Sequence, residues 1–105
     1  MRLNVAEATL FQLLKTTKLP VAYHHFTSPP SPPYIVYLFS YNTNFGADNK
    51  VYEAAKNFQV ELYTKAKDPT SEALIEGLFD ANEIYWDKTE TYIDSEGLYQ
   101  VLYEI

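Results

Sequence analysis

The sequence has no cysteine, only three glycines and no apolar run of the roughly 18 residues that a membrane helix needs. The missing thiols exclude disulfides, thiolate metal sites and cysteine nucleophiles, so packing alone must hold the fold. So few glycines leave no phosphate-cradling loop, no Gly-x-Ser-x-Gly elbow and no Gly-x-Gly-x-x-Gly fingerprint, and nucleotide chemistry is unsupported. The N-terminus, with one Arg and an interrupted apolar stretch, lacks a signal-peptide pattern; a soluble, unexported protein made in the cytoplasm is expected. At 105 residues, 47% of them hydrophobic, the chain suits a single domain, residues 1–105, and is too short for two.

Basic residues are scarce and unevenly placed. Residues 1–67 hold seven Lys and Arg against four Asp and Glu, about +3, whereas 68–105 hold one against ten, about −9, which together give the net −6. Such a split lets the basic side of one copy meet the acidic side of another; an ordinary solvated acidic helix and hairpin would give the same numbers. Aromatic residues are abundant instead: ten Tyr, six Phe and one Trp, more than one small domain can bury, so some tyrosine is expected at the surface, where its apolar body and polar tip suit an interface.

The periodicities predict an α+β domain in the order α-β-β-β-α-β-β, two helices on a mainly antiparallel sheet. Residues 3–17 read as an amphipathic helix with Asn4 and Glu7 as a capping box. A strand over 21–26 leads into Thr27-Ser28-Pro29-Pro30-Ser31-Pro32-Pro33, which cannot donate a regular ladder and must be a loop. Residues 34–41, almost unbroken in apolar and aromatic character, form the central strand. Residues 42–49, including Asn44, Phe45 and Gly46, have turn composition. Phe58, Val60 and Leu62 alternate with polar residues as a strand, which is extended back to Lys50 although Val51, Ala54, Ala55 and Phe58 also fit a helix. Asp68-Pro69 starts a second helix running to about Ala81, with Glu72, Glu76 and Asp80 as a line of like charge, tolerable on a solvated face and useful on a face awaiting a basic partner. Strands over 84–93 and 98–105 flank the four-residue turn Asp94-Ser95-Glu96-Gly97. Only the connection carrying the second helix is long enough for most parallel crossovers.

Chemistry is hard to find. His24 and His25 are the only pair to mark, but neighbours on a strand point to opposite faces, so they are expected neither to share a metal nor to form one site. No carboxylates stand at metal-binding spacing, and the 94–97 turn is too short for a calcium loop. Tyr34, Tyr37, Tyr41, Tyr99 and Tyr103 could stack on bases, but bases are held by basic grooves and this chain has few cations; core and subunit interface are the better readings. No catalytic residue, metal or cofactor is expected. The rival is a small ligand-binding or enzymatic domain using His24 or His25, which a concave pocket converging on either would favour.

Leu19-Pro20-Val21-Ala22-Tyr23 after a first helix, Pro33-Tyr34-Ile35-Val36-Tyr37 after a Pro-rich loop, Val60 to Lys65 running into Lys67-Asp68-Pro69, and the ending Leu98 to Ile105 resemble, in order and spacing, small tail-completion proteins of siphophages and prophages of Gram-positive bacteria. The resemblance implies a tail-terminator-like α+β subunit without catalysis, forming a ring, a hexamer, that caps the tail tube and meets the head connector in the virion. A head-completion or connector protein of the same neck region is the alternative. No specific nucleic-acid binding and no membrane partner are expected. On this reading Glu72, Glu76, Asp80 and Glu83 face Lys50, Lys56, Lys65 or Lys67 of a neighbour, Tyr34 and Tyr63 fill the contact, and the loops Ser28–Pro32 and Asn44–Gly46 order on assembly.

Overall fold

Alternation in the strands decides the architecture. Phe58, Val60, Leu62 and Thr64 turn to one side of β3 (Asn57–Thr64) and are buried, so this side must be covered. The computed structural model, which describes residues 6–40 and 57–105, shows what covers it: two helices, α1 (Glu7–Lys15) and α2 (Pro69–Ala81), on one face of a five-stranded sheet. The remaining strands are β1 (Val21–Tyr23), β2 (Tyr34–Ser40), β4 (Asp87–Ile93) and β5 (Leu98–Glu104), and the spatial order is β1-β2-β3-β5-β4. This is the α+β fold in the element order the sequence implies. The backward extension of β3 to Lys50 and the 42–49 turn lie outside the described residues.

The register Ile35–Leu62–Val101 and Tyr37–Val60–Tyr103 runs across the three central strands and forms the floor of the core. Leu10 and Leu14 of α1 and Ile75 and Phe79 of α2 close it from above, all four without solvent exposure. Burying each such side chain contributes about 1.5–3 kcal/mol.

Local signals set the helix ends. Asp68 caps α2 as expected: its carboxylate accepts from the Ser71 N–H at 3.1 Å and from Ser71 Oγ at 2.8 Å, with Pro69 at the first position. Both bonds favour the charged form and hold the Asp68 carboxyl below its ordinary pKa. At α1, Asn4 of the expected capping box lies outside the described residues. The capping position is Ala6, which makes no side-chain cap, and the Glu7 carboxylate accepts from the Tyr37 hydroxyl at 3.0 Å. That bond ties the helix to the central strand.

Two other expectations are corrected. The fourth strand starts at Asp87 rather than Ile84, because Ile84 folds back to close α2, its N–H donating to the Phe79 carbonyl at 2.8 Å while its side chain enters the core. The parallel pair is β1 with β2, joined by the Pro-rich loop. A three-residue strand needs a return of only about 10 Å, which this loop covers without a helix. The α2 connection also links strands of the same direction, β3 and β4, with β5 inserted between them. At the last turn Gly97 takes a left-handed φ of 62°, a conformation that glycine adopts without strain.

Candidate assembly surfaces

Of the acidic line on α2, Asp80 is solvated but Glu72 is not. The Glu72 side chain is 4% exposed. It points toward β4, whose inward-facing residues include Lys88 and Glu90. Lys88 Nζ donates to Glu72 Oε1 at 2.7 Å and to Glu76 Oε2 at 2.8 Å; Lys67 Nζ donates to Glu72 Oε1 at 3.0 Å and to Glu90 at 2.8 Å. Glu72 Oε2 lies 2.9 Å from Lys67 Nζ but makes no directed hydrogen bond, so charge attraction is its main support. Burial alone would lower the Lys88 pKa; the two carboxylates outweigh it and leave it raised. Glu76 also accepts from the Tyr103 hydroxyl at 2.7 Å, and Glu90 from that of Tyr99. Glu72, Glu76 and Lys67 are therefore committed within the chain, and the expected pairing of these three with a neighbour is replaced by an intramolecular clasp. Lys88, missed by sequence reasoning, carried one signal: it is the lone base of the acidic half and stands on the same face of its strand as Glu90.

The other predicted interface residues are scattered. Asp80 is exposed and accepts from Trp86 Nε1–H at 2.9 Å, and Glu83 is exposed. Lys65 is exposed at the end of β3. Lys50, Lys56, Asn44, Phe45 and Gly46 lie outside the described residues. A shallow depression of about 410 Å³ beside the end of α2 is lined by Asp80, Glu83, Ile84, Tyr85 and Trp86, and neither histidine borders it.

Tyr34 and Tyr63 do come together, on the sheet face opposite the helices, where their rings stack at 5.2 Å. Phe26, from the Pro-rich loop, packs edge-on to Tyr34 at 5.3 Å, which leaves Tyr34 buried and Tyr63 half-buried. In that loop Ser28, Pro29 and Ser31 are exposed, and Pro30 and Pro32 are half-buried. The Tyr63 hydroxyl donates to Glu61 at 2.9 Å and accepts from Gln100 Nε2 at 2.9 Å. Burial first, then the carboxylate, pushes Tyr63 up to about 12. Glu61, missed by sequence reasoning, is raised because burial penalises its charge more than Tyr63 and the nearby His24 relieve it.

His24 and His25 also depart from expectation. The strand ends at Tyr23, and His24 has φ 71° with the His25 N–H bonded to the Tyr23 carbonyl at 2.7 Å, a γ-turn of the rare positive-φ kind. The two exposed rings meet, with Nδ1 to Nδ1 at 3.2 Å. Alternation would have separated them; the turn cancels it.

Among the described residues no helix is long and apolar enough to cross a membrane, and no group of three or more His, Asp or Glu is placed to hold a metal. Comparison with known proteins gives no match to any family model, to any curated protein or to any solved structure.

Proposed function

We propose that the chain is a non-enzymatic assembly subunit that closes a ring by head-to-tail contact, serving as a tail-terminator or tail-completion protein at the head–tail junction of a tailed phage or prophage. The observation that carries the ring is the distribution of uncommitted charge. Lys15 and Lys18 are exposed at the end of α1, beside edge strand β1; Glu83 and Asp87 are exposed beside the opposite edge strand, β4. Among the described residues none of the four makes an ion pair within the chain. Opposite charge on opposite edges favours the contact of one edge with the other edge of the next copy over a symmetric pair of like edges, and such a heterologous contact generates a ring when its rotation closes. Lys15 and Lys18 thus replace Lys67, and Asp87 joins Glu83 in place of Glu72 and Glu76. The tail-tube and head-connector partners rest on the sequence resemblance.

The test is light scattering and co-sedimentation with tail tubes at low and high salt. Wild type associates or binds tubes, and high salt weakens it. Lys18→Glu abolishes the contact, and adding Asp87→Lys restores it. A wild type that is monomeric at every concentration and ignores tail tubes rejects the proposal. Particles lacking the protein then separate the two neck roles: tails of irregular length mark a terminator, and full heads beside normal tails mark a connector.

A further inference from the structure

The geometry points to a metal site that the sequence pattern hides: the His24–His25 turn binds one divalent late-transition-metal ion through Nδ1 of both histidines. The inference is independent of the assembly reading.

An ion held by two imidazole nitrogens at about 2.0–2.1 Å, with those nitrogens 3.2 Å apart, subtends an angle of about 100°. That value suits two neighbouring positions of a tetrahedral or tetragonal ion. The rings stand nearly perpendicular, at 89° with centroids 5.3 Å apart, and bring their Nδ1 atoms together. Both residues are exposed, so an ion has access.

The turn holds this arrangement in place. The His24 N–H donates to the Tyr37 carbonyl at 2.8 Å and the His25 N–H to the Tyr23 carbonyl at 2.7 Å, so both backbone positions are fixed before any ion arrives. The positive φ of His24 is a strained conformation for a residue with a Cβ, and glycine would adopt it freely. A histidine standing where glycine would be cheaper is accounted for if its ring has a role. Two imidazoles select zinc, copper or nickel over magnesium or calcium. No third side chain among the described residues completes the set, which leaves the other positions to water or an exchangeable ligand. A plain Nδ1–H to Nδ1 hydrogen bond would also bring the rings together, and the experiment must separate the two.

These are the only two histidines in the sequence, so untagged protein gives an unambiguous signal. Electron paramagnetic resonance of added Cu²⁺ counts the imidazole nitrogens on the ion, and calorimetry with Zn²⁺ measures affinity. Wild type shows two imidazole nitrogens on one ion. His24→Gly and His25→Ala each lower affinity by at least about tenfold. His24→Gly keeps the turn and relieves its strain, so without metal it melts at or above the wild-type temperature, while added Zn²⁺ raises the melting temperature of wild type alone. Equal binding by wild type and His24→Gly, or fewer than two imidazole nitrogens on copper in wild type, overturns the proposal.

Discussion

The two faces of the sheet carry ionisable groups held in opposite ways. On the helix-covered face, Glu72, Glu76 and Glu90 lie against Lys67 and Lys88, and each buried or half-buried charge meets a partner of opposite sign. On the open face, Glu61 is held by a tyrosine hydroxyl, and burial raises its pKa. The first arrangement locks α2 onto edge strand β4. Inward-pointing Lys88 and Glu90 also make β4 a poor template for unwanted strand pairing, because a chain adding there would disturb a satisfied network. The second arrangement leaves a carboxyl whose ionisation the fold itself disfavours.

The largest effect follows from Glu72. Glu72→Gln leaves two lysines facing a neutral amide beside the core and destabilises the protein by about 2–3 kcal/mol, below the full cost of breaking a buried pair because both lysines reach solvent. Urea unfolding midpoints measure it. A variant as stable as wild type would mean that α2 is held by Ile75 and Phe79 alone.

The same exchange on the open face has the opposite sign. Glu61→Gln keeps an acceptor for the Tyr63 hydroxyl and removes the disfavoured charge, so it raises the stability of the protein slightly at neutral pH, by less than Glu72→Gln lowers it. The pH dependence sharpens this. The folded pKa of Glu61 is raised, so its contribution is present below the unfolded value, about 4.3, and is lost as pH rises through the folded value. The advantage of Glu61→Gln therefore vanishes in acid. Asp68 is lowered, chiefly by its bonds from Ser71, and Glu90 by Lys67. Their contributions are present above the unfolded values of about 4 and are lost as pH falls through the depressed folded ones, so both proteins weaken in acid. Melting curves from pH 7 to pH 3 that run parallel for wild type and Glu61→Gln would remove Glu61 from the comparison.

What the sequence could reveal follows the same division. Alternation in β3, the Asp68-Pro69 start of α2 and the 94–97 turn were legible because each depends on neighbours in the chain. The buried clasp was not, since it joins Lys67, Glu72, Glu76, Lys88 and Glu90 from three separate elements, and a carboxylate at helical spacing reads as solvated until its cation is placed. The Tyr34–Tyr63 contact was foreseen only as tyrosine in an interface, without its geometry. The histidine turn was missed for a sharper reason. Alternation holds only while φ stays negative and extended, and nothing in Tyr23-His24-His25 signals that His24 leaves that region.

The smallest effect belongs to the rim of the clasp. Glu90 binds Lys67 and Tyr99. Its carboxylate is lowered first by Lys67 and then by Tyr99, but water reaches all three, so the attraction is screened and two long side chains must be ordered to keep it. Glu90→Gln is expected to unfold at the same urea concentration as wild type in high salt and slightly earlier in low salt. Glu72→Gln, by contrast, keeps most of its deficit in both, because salt screens a buried carboxylate poorly. If both variants respond to salt equally, the clasp is one surface network and not a buried charge with a solvated rim.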